Sequence, residues 1–292
     1  MTVSRPAPAL ALPGFEALMD AAWPAPDREE SGGWVLRAAS GVTQRANSVW
    51  LREPDRDTGR QHEALHAARL WYRRRRLPLI FQVFDDPRSA GLNTVLDGEG
   101  FTRQSETLVM CRRNGANGAD QPAVRPSVTH PAVRPSVTHP AVADSGVEIS
   151  TVPSDEWIEL WWSVDGRGGP AERETARGIL AGCPSLYALV RSDDGVPAAV
   201  GRLAVPPTGE AGGSWGGLYS MATRPDARRR GHALRIMQAL LHEGHTRNLA
   251  RYWLLVTEAN SGAQQLYAKA GFQEAGRYLY RQERPTRHLT GC

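Results

Sequence analysis

The chain has 292 residues, with 35 lysines and arginines against 31 aspartates and glutamates, a formal net charge of +4. That length accommodates two ordinary domains with a core each. Without a run of about twenty apolar residues, nothing in it is expected to span a membrane. Cys111, Cys183 and Cys292 lie far apart, which excludes a CxxC-type metal site and fits a reduced cytoplasm.

The opening MTVSRPAPALALPGF is broken by prolines and lacks the charged-then-apolar design of a secretion signal. The positive charge and the sequence pI of about 9.2 raise the question of a nucleic-acid partner. Lys269 is the sole lysine, however, and such a skew points to composition bias rather than to arginines placed for phosphate contact. The basic run at 73–76, beside Trp71 and Tyr72, therefore reads as a solvated helix end whose charges suit the helix dipole.

In chain order, the first half predicts a helix over 62–75, an apolar strand over 79–83 and a second helix near 88–97. The pair Gly100-Phe101 follows, and then a strand over 106–112. Residues 114–120 are rich in Gly and Asn, and PAVRPSVTH then occurs twice in succession, at 122–130 and 131–139. Proline every few residues forbids helix or central strand, so 114–145 is expected to be an extended spacer. Two imidazoles in it, His130 and His139, have no fixed geometry for a metal.

The second half alternates strands and helices. A strand over 147–152 precedes Ser154, which can cap a helix over 155–164. After the loop 165–170 comes a helix over 171–180. Strands over 186–191 and 198–205 are joined by the hairpin turn Asp193-Asp194-Gly195, and a long strand over 215–223 follows. The basic turn Arg228-Arg229-Arg230-Gly231-His232-Ala233 then opens an amphipathic helix with Ala233, Met237, Leu240 and Gly244 on one face. A buried strand over 252–256, a helix over 261–270 and a final strand or bent pair over 272–281 complete the half. Both Gly-Phe pairs, Gly100-Phe101 and Gly271-Phe272, suggest a helix ended by a left-handed glycine.

A strand feeding a Gly-containing turn at a helix N-terminus leaves several backbone N–H groups pointing one way, with the positive end of the helix dipole behind them. Such a turn binds phosphates. The pattern R-x-x-G-x-A resembles the acyl-CoA pyrophosphate loop of the GNAT superfamily of N-acyltransferases. Residues 256–272, VTEANSGAQQLYAKAGF, are similar to that family's other cofactor-side motif: a strand, an Asn, a helix carrying Tyr, then Gly-Phe. The two motifs stand in the family's order. The resemblance covers about 147–282 and implies an α/β protein with a mixed sheet. Because the first half repeats helix, strand, helix, Gly-Phe, strand without the loop motif, two GNAT-like domains are expected. These are a degenerate one over 1–113 and an intact catalytic one over 146–284, with the linker between them and a tail over 285–292.

What the resemblance implies is transfer of an acetyl group from acetyl-CoA, as co-substrate and without a metal, to the primary amine of a small molecule or peptide. Arg228, Arg229, Arg230, Gly231, His232 and Ala233 form the phosphate loop, and Met221, Ala222 and Thr223 align the pantetheine arm by their backbone. The N–H near Met221 faces the thioester oxygen. Asn260 contacts the cofactor or simply caps its helix, and Tyr267 is the general acid for the departing thiolate or a core aromatic with a bonded hydroxyl. For the base, two residues are open. Glu258 is the nearest carboxylate in sequence, and Tyr219 shares a strand face with Met221 by alternation. Trp161, Trp162, Trp215 and Tyr219, with the loop at 165–170, are expected to line the acceptor pocket, though two adjacent tryptophans also suit one core and one surface position. Two rivals share parts of this pattern: an acyl-CoA sensor or scaffold without chemistry, and an arginine-rich nucleic-acid binder.

Overall fold

The computed structural model describes residues 12–53, 57–113, 146–207 and 214–284, so the duplicated nonapeptide and the tail lie outside the described residues. The first half runs α1 (Leu12–Ala22), β1 (Asp27–Ser31), β2 (Trp34–Ala38), β3 (Val49–Leu51), α2 (Thr58–Arg74), β4 (Ile80–Phe84), α3 (Ala90–Gly98) and β5 (Thr102–Arg113). The second half runs β6 (Val147–Ser150), α4 (Asp155–Asp165), α5 (Pro170–Ala181), β7 (Ser185–Arg191), β8 (Pro197–Ala204), β9 (Trp215–Thr223), α6 (His232–Thr246), β10 (Arg251–Thr257), α7 (Ser261–Lys269) and β11 (Gln273–Gln282). Among the described residues no helix is long and apolar enough to cross a membrane.

Local chemistry explains most boundaries. Ser154 caps α4 by accepting from the Trp157 N–H at 3.1 Å, with Asp155 and Glu156 in the first turn. Gly100 and Gly271 sit at φ +75° and +84°, and Phe101 and Phe272 donate back to Leu96 and Tyr267 at 2.9 and 3.0 Å. At the basic end of α2, the Arg75 guanidinium lies 3.5 Å from the Trp71 ring centroid and pairs with Asp27 at 2.6 Å. The elements α1 and β1 through β3 carried no usable signal. β1 is the charged segment DREES at the sheet edge, where exposed charge blunts pairing with another chain.

All strands join one mixed sheet in the order β1-β2-β3-β4-β11-β5-β10-β9-β8-β7-β6. The two halves exchange their last strands. β11 pairs antiparallel with β4, from Tyr278↔Phe84 to Gln282↔Ile80, while β5 pairs antiparallel with β10, from Arg251↔Arg113 to Thr257↔Thr107. Each half is thus completed by a strand of the other, and β11 lies against β5 between them. One face carries α1, α4 and α5 over an aromatic cluster that includes Phe15, Trp23, Trp157, Trp215, Tyr219 and Trp253. On the other face Ile236, Met237 and Leu240 of α6 pack with Leu218 and Leu254, and α7 borders the same cluster. A third cluster joins α2 and α3 to β2, β3 and β4.

Alternation along β9 is interrupted, which corrects the expectation that Tyr219 and Met221 share a face. Tyr219 pairs with Arg202, but Ala222 pairs with Val200, so β9 holds one extra residue, and Ser220 adopts φ +53°. The bulge shifts the phase by one. Tyr219 and Ala222 face the α1/α4 cluster, whereas Leu218 and Met221 face α6. The parallel pairing of β9 with β10 also stops at Leu218↔Leu254, leaving the C-terminal ends of the two strands unpaired with one another.

Close backbone approach just before the split depends on Gly217, where a Cβ would overlap the Trp253 indole and the Tyr219 ring. Both rings are buried, at 0% and 5% exposure, and have no room to yield. Gly217→Ala is therefore expected to destabilise the fold by about 1–3 kcal/mol. Urea unfolding should show a lower midpoint at unchanged slope, and an unchanged midpoint contradicts this packing.

Candidate functional site

The turn between β9 and α6 is built around two left-handed residues, Arg229 at φ +63° and Gly231 at φ +81°. Gly231 is the N-cap of α6 and has no side chain to offer the first-turn amides, which have no carbonyl behind them. A Cβ at Gly231 would meet nothing within 4 Å, so it is the positive φ that selects glycine here. Arg228, Arg229 and Arg230 are exposed around these amides, and Arg228 Nε donates to the Thr223 carbonyl at 3.3 Å. His232, 7% exposed, has no protein partner for either ring nitrogen among the described residues. Open amides, three guanidiniums and an unsatisfied imidazole form a donor-rich surface, which fits a phosphate group.

The second motif lies across the split. Asn260 caps α7 by accepting from the Ala263 N–H at 3.1 Å. Tyr267, half-buried, rests edge-on against Phe272 at 6.4 Å and packs on the same apolar cluster as Met221. Burial raises its phenol pKa, and the negative charge of Asp165 raises it further. Glu258 stands elsewhere: it is exposed, and its carboxylate lies 3.8 Å from Arg277, which also binds Glu106 and Glu274 at 2.7 and 2.6 Å.

Asp165 belongs to this site; the sequence placed it at the start of the loop expected to line the acceptor pocket but gave it no chemical role. It is the last residue of α4, where a carboxylate opposes the helix dipole. That unfavourable placement is the signal a sequence reader could have used. The residue is exposed at the rim, yet burial of its carboxyl raises the pKa above the ordinary aspartate value. Trp161, Arg167 and Arg228 act in the opposite direction. The indole N–H of Trp161 exerts its effect without closing a hydrogen bond. Asp165 thus has Arg228 of the basic turn and Tyr267 of α7 as electrostatic neighbours, so three elements converge on one carboxyl.

The expected acceptor residues share the α1/α4 face. Trp161, Trp215 and Tyr219 are buried at 4–5% exposure, and Trp162 packs against their cluster from the rim. Trp215 is walled in by Phe15 and Trp253 at 5.5 and 6.1 Å. Tyr219 accepts from Trp253 Nε1 at 3.0 Å and stacks on Trp23 at 5.5 Å. Trp23, from the first half, carried no sequence signal because its neighbours are set only by the tertiary fold. Among the described residues no group of three or more His, Cys, Asp or Glu is placed to hold a metal ion.

The raised Asp165 carboxyl can be checked by carbon-detected NMR titration. Its midpoint is expected above the usual aspartate range, and Trp161→Phe should move it higher by removing a group that stabilises the charged form. A midpoint at or below the ordinary value contradicts this environment.

Comparison with known proteins agrees with this geometry. Residues 13–281 match the family described as "Probable histone acetyltransferase Rv0428c C-terminal". The chain is 24% identical over 274 residues to the uncharacterized N-acetyltransferase YobR of Bacillus subtilis (strain 168), covering 92% of this chain and 98% of that protein. A GCN5-related N-acetyltransferase from Kribbella flavida superposes with a TM-score of 0.60 at 16% identity, over 96% of this chain and 98% of the other. A tandem GNAT protein from the clavulanic acid biosynthesis pathway superposes with a TM-score of 0.56 at 17% identity, over 98% and 91% of the two chains. With the family's model matching residues 13–281, nearly the whole chain, the chain belongs to the family of the probable histone acetyltransferase Rv0428c C-terminal region and is an N-acetyltransferase of the GNAT superfamily.

Proposed function

We propose that the second half binds acetyl-CoA and passes its acetyl group directly to a primary amine. The observation that carries this is the left-handed Gly231 opening α6 beside the β9/β10 split, with Tyr267 across it. When bound, acetyl-CoA supplies an activated thioester carbon and a thiolate leaving group. The amides of 229–233 hold the diphosphate, assisted by Arg228, Arg229 and Arg230, and His232 offers a further donor beneath them. The open edge of β9 at Met221, Ala222 and Thr223 pairs with the amides of the pantetheine arm. The Met221 N–H would face the thioester oxygen, where negative charge develops. Asn260 caps α7, which fixes the ring of Tyr267.

Proton traffic falls to two residues. Tyr267, its pKa raised, keeps its proton through neutral pH and gives it to the sulfur as the C–S bond breaks. With Glu258 held by Arg277, we assign the amine's proton to Asp165. Its raised pKa makes it a better base than an ordinary aspartate. The sign is definite: only the carboxylate form accepts the proton, so the acid limb of kcat/KM should lie above the usual aspartate range. Asp165→Asn should lower the rate and remove the Asp165 contribution to that limb, leaving only the amine's own protonation; an unchanged rate and pH profile in the variant contradict the assignment.

Free-thiol release from acetyl-CoA across an amine panel tests the whole scheme. Tyr267→Phe should lose about 10²-fold or more in kcat while coenzyme A binding persists. For the loop, coenzyme A at about a hundredfold over its dissociation constant should add about 2.7 kcal/mol of stability to the wild type. Gly231→Asp should remove that gain by placing a negative charge at the anion site. Full coenzyme A stabilisation in Gly231→Asp, or undiminished turnover in Tyr267→Phe, overturns the corresponding assignment.

A further inference from the structure

The α1/α4 face, opposite α6 and α7, holds two arginines that differ from the other buried ones. Arg37 is 2% exposed and answered by Asp20 at 3.0 Å, and Arg281 is 0% exposed and answered by Asp97 at 2.5 Å. Arg202 is likewise 0% exposed, but it donates only to neutral oxygens, Ser185 Oγ at 3.0 Å and the Ala22 carbonyl at 2.9 Å. Its remaining terminal nitrogen is buried with no acceptor. Arg45 is half-buried, its Nε is sealed from solvent without an acceptor, and its electrostatic neighbours are the phenols of Tyr278, Tyr280 and Tyr219. Among the described residues neither guanidinium has a carboxylate partner.

Both cations use the same pair of rings. Arg45 lies 5.4 Å from the Trp23 ring and 5.2 Å from the Tyr219 ring, and Arg202 lies 5.7 and 5.9 Å from them. Aromatic faces offset part of a buried charge, and the Tyr278 hydroxyl is a neutral hydrogen-bond neighbour of Arg45, but neither supplies a counter-charge. Two neighbouring cations repel, and buried charge is costly unless paired. An anion delivered from outside would satisfy both arginines together. The position also matters: Tyr219 lies between Leu218, where the pairing with β10 ends, and the Ser220 bulge, on the face opposite Met221 and Tyr267. Trp23, Tyr219 and both guanidiniums thus lie on the side of the sheet next to the end of the β9/β10 pairing.

We propose that the acceptor is an amine that also carries a carboxylate, and that Arg45, backed by Arg202 against the Trp23–Tyr219 stack, receives that carboxylate. The proposal rests on the acetyl-transfer scheme for its geometry, but it assigns a charge to the acceptor that the scheme leaves open. It also gives the first half a direct part in the site, since Trp23 and Arg45 precede the linker.

The test is binding of product analogues to the full chain saturated with coenzyme A, measured by isothermal titration calorimetry. N-acetylated amino acids are compared with their matching amides, which differ only in the charge. At least one acid is expected to bind tenfold or more tighter than its amide. Arg45→Gln should bring the ratio close to one, Arg45→Lys should keep part of it, and all three proteins should bind coenzyme A alike. Acids and amides binding equally, no acid binding at all, or an unchanged ratio in Arg45→Gln overturns the proposal. So does an end-capped acetyllysine peptide, lacking any carboxylate, that binds as tightly as the best acid. The assay does not use turnover, so intact charge discrimination without thiol release would sink the transfer scheme and leave the anion site standing.

Discussion

The parallel pairing of β9 with β10 ends at Leu218↔Leu254, and the remaining features of the site are arranged around that end. Before it, Gly216 and Gly217 let the strand lie against large rings: a Cβ at either would crowd Tyr252 or Trp253. After it, the Ser220 bulge turns Tyr219 to one face of the sheet and Met221 to the other. A strand pair that opens exposes backbone donors and acceptors that must be satisfied by something other than the sheet. The basic turn, α6 and α7 border the opening on one side, and α1, α4 and their aromatic cluster border it on the other. A single irregularity thereby separates a phosphate-binding face from an aromatic, cationic one.

Strand exchange makes the two faces mutually dependent. β5 completes the edge of β10, and β11 returns to pair with β4. The first half lacks a loop motif of its own, yet it is fixed to the second by ladder hydrogen bonds and by α1, whose Phe15 meets Trp215 and Trp253. A mere tether between independent domains would leave Trp23 free to drift from Tyr219. The shared sheet holds their rings at 5.5 Å.

Much of the second half was legible because its signals are local. Ser154 caps α4, Gly195 turns its hairpin at φ +81°, Gly231 opens α6, and Gly271 ends α7, as composition and spacing indicated. Three features were not legible, each for a physical reason. β1 through β3 are short or charged and gain their structure from neighbours in the sheet. The phase of Tyr219 was misjudged because a bulge at a serine leaves no mark in an alternating pattern. The ion pair that occupies Glu258 joins β10's end to β11, and no spacing rule reports an exchange of strands between halves. Asp165 was within reach, since an acid ending a helix sits against the dipole and invites a reason.

Amide hydrogen exchange with and without coenzyme A examines the open strand end most directly. Slowed exchange is expected along 221–223 and in the turn and first residues of α6, with β9 before Leu218 little changed because it is already paired. Protection confined to other elements, with the split end of β9 exchanging as fast in the presence of coenzyme A as in its absence, contradicts the account.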